Sequence, residues 1–323
     1  MSMRASDIKK IACVGAGLIG AGWATNFLMK GYPVVLYDIK EEFLEQARQR
    51  ISQNLQFLVN KKVLDEKRFA AAMQAVACTT SLEEAVKDVQ LIQESGPENY
   101  EVKQALLVEI EKHAHPTAIF ASSTSGLLIS EIARYAQHPE RCLGVHPYNP
   151  PHLIPLVEIS KGDRTSDAVV DTVYEFLSSL GKEPVILRKE APGFIANRLQ
   201  MALYREAVDL VNRGVCSIED VDKAACFGPG LRFGIMGPNL IYQLGGGAHG
   251  IKGLLTHVGP SVEMWWADMA DWKKWPEGWP DKAQEGVNRA MANRPPEFGR
   301  TPEEIAAWRD DMLIELLKLH KKI

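Results

Sequence analysis

Two groups of residues in this sequence carry chemistry by their type and spacing. The first is Gly15-Ala-Gly17-Leu-Ile-Gly20, which follows an apolar run at 11–14 and precedes Asp38 by 18 residues. A glycine at 15 permits a tight turn, one at 17 lets the main chain approach a pyrophosphate, and one at 20 lets the next helix pack closely on the strand. That helix would offer unpaired N–H groups and the positive end of its dipole to phosphates. A carboxylate at 38 accepts hydrogen bonds from ribose hydroxyls and repels a 2′-phosphate, and the following Ile39-Lys40 brings one cation but no arginine. The spacing therefore points to NAD rather than NADP. FAD shares the fingerprint, and the same glycines could serve helix packing alone, but strand, glycines, helix and Asp38 together favour NAD.

The second group lies in three downstream segments: Ala121-Ser-Ser-Thr-Ser125-Gly126, His146-Pro-Tyr-Asn-Pro-Pro151 and Pro192-Gly193-Phe-Ile-Ala-Asn197-Arg198. An open α/β sheet places its functional residues at the carboxyl ends of its strands. Glu158 stands in an apolar run, where an unpaired carboxylate would be costly, so it needs a partner, catalytic or structural. Ser125 could be a turn residue and Asn197 could bond the main chain at a helix start. His113 and His115 read as surface residues at a helix end with no third ligand, and no metal site is expected. His152, six positions after His146, has no motif of its own.

The elements that must position these residues follow from the hydrophobic pattern. Strands are expected at 11–14, 33–38, 89–94, 118–123, 143–146, 156–159 and 184–187. Residues 41–73 read as two helices, with further helices at 102–113, 129–137 and 166–180. After Ala191-Pro192-Gly193 strand patterns almost cease. Residues 194–213 read as one long helix, with more helices up to one at 302–318. The fold class is thus an α/β Rossmann-type N-terminal domain with a mostly parallel sheet, plus an all-α C-terminal domain, divided as 1–190 for NAD binding and a helical 191–323.

With 323 residues, 46% hydrophobic and 24% charged, the chain can bury sizeable cores, and a net charge of −4 argues against a nucleic-acid partner. The stretch 11–29 is nearly long and apolar enough for a membrane span, but Asn26 and its glycines fit a nucleotide-binding turn better. Cys13, Cys78, Cys142, Cys216 and Cys226 are scattered, with no C-x-x-C, which suits a reducing compartment. A cytoplasmic protein with no membrane association is expected.

Taken together, the motifs resemble the 3-hydroxyacyl-CoA dehydrogenase superfamily, and most closely its free-hydroxy-acid branch of L-gulonate 3-dehydrogenases (lambda-crystallins) and L-carnitine dehydrogenases. The resemblance runs to about residue 245 and is looser beyond it, although Trp308-Arg-Asp-Asp-Met-Leu resembles the carnitine enzymes. It implies that His146 takes the hydroxyl proton, that Glu158 orients the imidazole, and that Ser125 and Asn197 hydrogen-bond the substrate oxygen. The chemistry is consistent: oxidising an alcohol needs a base of near-neutral pKa, a carboxylate fixes its tautomer, and neutral donors stabilise developing charge on oxygen. The resemblance also implies that Leu18, Ile19, Glu98 and Lys103 touch the cofactor, the last two near the nicotinamide ribose, the alternative for both charges being a solvated helix start. A homodimer through the C-terminal domain is implied as well.

Gly228-Pro-Gly-Leu-Arg232 resembles the free-acid branch, and the matching segment of acyl-CoA enzymes usually lacks the arginine. A guanidinium clamps a carboxylate through paired hydrogen bonds, so Arg232 is expected to hold a substrate carboxylate unless a neighbouring acid occupies it. Ser123, where acyl-CoA enzymes commonly have Asn, points weakly the same way. Residues 264–279 hold five of the seven tryptophans. They suit an interface or core better than a cage for a quaternary ammonium. The expected activity is NAD-dependent oxidation of a small L-3-hydroxy acid, gulonate- or carnitine-like, to the 3-oxo acid. The alternatives are a short-chain L-3-hydroxyacyl-CoA dehydrogenase and, more distantly, a non-catalytic crystallin-like or NAD-sensing protein.

Overall fold

A computed structural model describes residues 3–323. By internal packing the described residues form two compact units: those up to residue 198 with 317–323, and residues 199–316.

The first unit is built on one sheet. Its strands are β1 (Ile11–Val14), β2 (Val34–Tyr37), β3 (Val76–Thr79), β4 (Leu91–Glu94), β5 (Ile119–Ser122), β6 (Cys142–Pro147), β7 (Leu156–Lys161) and β8 (Glu183–Leu187), in the order β3-β2-β1-β4-β5-β6-β7-β8. Every pairing is parallel except β6 with β7. All four residues of β1, β4 and β5 are buried, as strands covered on both faces must be. Helices α1 (Leu18–Met29), α2 (Glu41–Asn60), α3 (Glu66–Gln74), α4 (Leu82–Val86), α5 (Tyr100–His113), α6 (Ile129–Ile132) and α7 (Asp167–Ser179) cross between strands. The apolar stretch 11–29 is thus a strand, a turn and a twelve-residue helix. No helix among the described residues is long and apolar enough to cross a membrane.

The α/β class and the mostly parallel sheet stand as the sequence predicts, with two local differences. Edge strand β3 has no counterpart among the expected strands, and the helix expected over 129–137 ends at Ile132. The guanidinium of Arg164 takes the Ala133 carbonyl at 2.7 Å, and the Glu111 carboxylate takes the N–H groups of Gln137 and His138 at 2.7 and 2.9 Å. Both sets of groups would otherwise continue the helical ladder.

The second unit is helical: the body of α8 (Ala196–Asn212), then α9 (Ile218–Ala225), α10 (Leu231–Phe233), α11 (Pro238–Gly245), α12 (Gly250–Asp268), α13 (Trp279–Ala292) and most of α14 (Pro302–Leu319). A core of Val208, Val211 and Trp279, with Ile218 and Trp272 packed against it, holds α8, α9 and α13 together.

Candidate active site

β1 lies between β2 and β4, so the connections leave it in opposite directions and open a crevice at its carboxyl end. A cavity of ≈ 720 Å³ occupies this place, lined among others by Gly15, Gly17, Asp38 and Pro97. Gly15 turns at φ +104, and a Cβ there would stand 2.7 Å from the Ser95 carbonyl oxygen. A Cβ on Gly20 would stand 1.8 Å from the Gly15 oxygen, so helix and turn can meet this closely only as glycines. Gly17, the N-cap of α1, faces open space and has no side-chain cap, so the first N–H groups of α1 are left for an anion.

Asp38 accepts from the main-chain N–H of Ala16 and of Ile39, each at 2.7 Å, which ties the end of β2 to the glycine turn. A carboxylate has lone pairs beyond those two bonds for ribose hydroxyls. Leu18 is exposed at the mouth and Ile19 half-buried behind it. The cradle fits a dinucleotide: main chain at 17–20 for the pyrophosphate and Asp38 for the ribose.

The second cluster is made by the antiparallel pair. In the β6–β7 register His146 stands directly opposite Glu158. The imidazole Nδ1 lies 2.8 Å from Glu158 Oε2, with the side chains 7% and 0% exposed. The other carboxylate oxygen accepts from the main-chain N–H of Ile195 and Ala196 at 2.8 and 2.9 Å, at the start of α8. Burial pushes the Glu158 carboxyl up, but the His146 hydrogen bond and the two main-chain donors outweigh it and hold the group below its usual range. Tyr148 and Phe194 flank the imidazole edge-on at 5.8 and 5.6 Å.

Asn197 joins this cluster. Its Nδ2 donates to the Ser125 carbonyl at 3.0 Å, and its Oδ1 accepts from the Tyr148 hydroxyl at 3.1 Å. Gly126 allows the close approach of this loop, because a Cβ there would stand 2.8 Å from the Gly193 nitrogen. The Ser125 N–H and the Thr124 hydroxyl both donate to Glu98 Oε1 at 2.7 Å. Ser125, His146, Glu158 and Asn197 are therefore brought together, with Glu98 bonded to the Ser125 loop.

Lys103 is buried beside the loop that carries Glu98, whose carboxylate its ammonium approaches to 3.8 Å. Its side chain is 1% exposed, and its ammonium bonds both oxygens of Glu94, at 2.8 and 2.9 Å, and the Gly96 carbonyl at 3.3 Å. A solvated helix start is excluded for it. With its donors turned inward, it supports the 96–98 loop from beneath. Glu94 is absent from the expected site residues, although a carboxylate closing an apolar strand is the same signal as Asp38. Tyr148, inside the histidine motif, is another omission.

In the second unit Arg232 is exposed, and among the described residues no acid pairs with its guanidinium. It follows a π-helical turn at Cys226–Gly230. The tryptophan-rich segment divides: Trp279 is buried and Trp272 packs on the core, Trp275 meets Tyr204 edge-on at 5.8 Å, and Trp265 and Trp266 are exposed.

Known proteins bear on the whole chain. Residues 10–191 match the 3-hydroxyacyl-CoA dehydrogenase NAD-binding domain and 193–282 the C-terminal domain of the same enzymes. The chain is 38% identical over 312 residues to an L-carnitine dehydrogenase of Oceanobacillus iheyensis, covering 97% of this chain and 98% of the relative. It is 38% identical over 313 residues to an L-carnitine dehydrogenase of Pseudomonas aeruginosa, covering 97% and 94%. Among solved structures, FHMPC 5-dehydrogenase, described as an NAD+-dependent dismutase, superposes with a TM-score of 0.80 at 29% identity over 97% of this chain and 98% of that one. The nucleotide cradle at β1 and the two matched domains thus agree, and this chain belongs to the 3-hydroxyacyl-CoA dehydrogenase family as an NAD-dependent dehydrogenase of CH–OH groups.

Proposed function

We propose that this enzyme oxidises the hydroxyl of a small free L-3-hydroxy acid of the carnitine class to the 3-oxo acid, with His146 as base. The observation that carries the reading is the buried 2.8 Å bond between His146 Nδ1 and Glu158 Oε2, because it fixes which ring nitrogen can act. An ionised carboxylate only accepts, so Nδ1 carries the ring proton and Nε2 keeps the lone pair. Nε2 takes the hydroxyl proton, and Glu158 then stabilises the imidazolium. NAD, when bound, supplies the acceptor for the hydrogen and electron pair leaving the carbinol carbon. One Nδ2 proton of Asn197 is used on Ser125, which leaves the other for the substrate oxygen, and the Ser125 hydroxyl gives a second donor.

The free-acid class is supported by the L-carnitine dehydrogenases among the relatives and by an Arg232 guanidinium that no acid among the described residues engages. Arg232 clamps the substrate carboxylate through paired hydrogen bonds. Residues 1–190 bind the cofactor with Gly15, Gly17, Leu18, Ile19, Gly20, Asp38 and Glu98, with Lys103 acting from below. Residues 191–323 supply substrate contacts and a homodimer surface. Leu231, Phe233, Ile235, Leu240 and Leu244 are all exposed there, and a soluble protein keeps so much apolar surface for a partner.

The test is NADH formation by the purified protein with L-carnitine, L-gulonate, L-3-hydroxybutyrate and L-3-hydroxybutyryl-CoA in parallel. Turnover of a free acid is expected, abolished in His146→Ala. Arg232→Ala should raise KM for that acid about 10- to 100-fold, as loss of charge-assisted bonds does. Turnover of the CoA ester alone would refute the free-acid class. Sedimentation should give a dimer, and a monomer would refute that surface.

A further inference from the structure

A buried lysine at the start of β8 lies outside every residue assigned above. Lys182 follows Gly181, which closes α7 at φ +81, and is 6% exposed. Its amine donates to the carbonyls of Pro151 and of Ile154, the latter at 3.0 Å, and stands 5.6 Å from the centre of the Trp23 ring. Among the described residues no carboxylate pairs with it. The charged and titratable groups around it are Lys30 at the C-terminal cap of α1, His152 on the loop, Lys322 of the C-terminal segment, and Glu183, which Lys322 engages. Burial, and secondarily Lys30, push its amine down to about 7.

The two carbonyls belong to the loop 148–155 that joins β6 to β7. Pro151 presses on α1 beside them, since a Cβ on Gly22 would stand 2.6 Å from its Cδ. Trp23, the next residue of α1, is fully buried and stacks on Phe27 at 5.2 Å, so the ring under the amine cannot easily yield. An apolar side chain would fill this recess at lower desolvation cost, unless the loop carbonyls require a donor.

We infer that Lys182 is a positioning residue, fastening the loop between the His146 and Glu158 strands against the cofactor-binding helix and so fixing where the imidazole stands. The role rests on His146 being the base. A misplacement of about 1 Å at a reacting group can cost about 100-fold in rate.

Lys182→Met and Lys182→Gln in the full chain test this, with kcat and KM, stability in urea, and the titration of the His146 ring by NMR without substrate. Lys182→Met should lower kcat about 10- to 100-fold, leave KM for NAD little changed and move the His146 midpoint. Lys182→Gln, whose amide still donates to carbonyls, should recover most of kcat. Reduced stability with wild-type kcat and an unmoved His146 titration would overturn the role. If Lys182→Met does not fold, Lys182→Gln decides. In that case a His146 ring titration in Lys182→Gln identical to that of the wild type would overturn the role. Full activity in His146→Gln would instead sink the assignment of the base.

Discussion

Two glutamates are fully buried in the sheet domain, and the contrast between them separates architecture from chemistry. Glu94, closing β4, receives Lys103, the Ser122 hydroxyl at 2.5 Å and the Gly96 N–H at 2.5 Å. Glu158, within β7, receives His146 and two main-chain N–H groups. Each has the donors that make a buried charge tolerable. They differ in the partner. Lysines in general hold their proton across the physiological range, whereas an imidazole gives its proton up, and Nε2 of His146 lies on the side turned away from its carboxylate. Burial of a carboxylate therefore does not by itself mark a catalytic centre; what favours the proposed site at Glu158 is a partner that can exchange its proton.

The contrast can be broken from either side. The largest effect should come from Glu158→Gln, which removes the acceptor that fixes the tautomer. kcat should fall about 100- to 10,000-fold with the fold retained, read by steady-state kinetics beside circular dichroism. Lys103→Met should act mainly on stability, because it strands the Glu94 charge. A cost of about 3–5 kcal/mol is expected in urea unfolding, with activity following the folded fraction, and wild-type stability would mean that the pair is dispensable.

A weaker effect is the pH dependence. Because the folded Glu158 carboxyl lies below its ordinary 4.5, its stabilisation is present above that value and lost as pH falls through the folded pKa. The stability gap between wild type and Glu158→Gln should accordingly narrow in acid, and a gap independent of pH would contradict the lowered pKa. The smallest effect is expected from Tyr148→Phe, which frees the Asn197 carbonyl at a cost of about 0.5–1.5 kcal/mol, a few-fold in kcat. An unchanged kcat would show that Ser125 alone orients the amide.

The sequence makes some of this legible and hides the rest for physical reasons. β1, its glycine turn and Asp38 are readable because each carries a local stereochemical demand: no side chain fits at Gly15 or Gly20. His146 and Glu158 are each readable as candidates, but their direct opposition depends on β7 running antiparallel, which no local pattern announces. β3 escapes because its four residues sit at a sheet edge with only Val76 buried. The early end of α6 depends on Arg164 and Glu111, which arrive from far along the chain. Lys103 sits in a charged stretch that reads as solvated, yet the residue that buries it closes a strand nine positions earlier.

The antiparallel pairing also constrains how this protein can change. Successive side chains of a strand point to opposite faces, so sliding β7 by one position would set Val157 or Ile159 opposite His146 and turn the carboxylate to the other side of the sheet. The hydrophobic residues flanking Glu158 would take the places opposite His146, and the imidazole would lose its carboxylate. The connector 148–155 thus acts as a ruler. Its side chains can drift with new substrates, but on the proposed mechanism the gain or loss of a single residue that shifted this register would cost the activity.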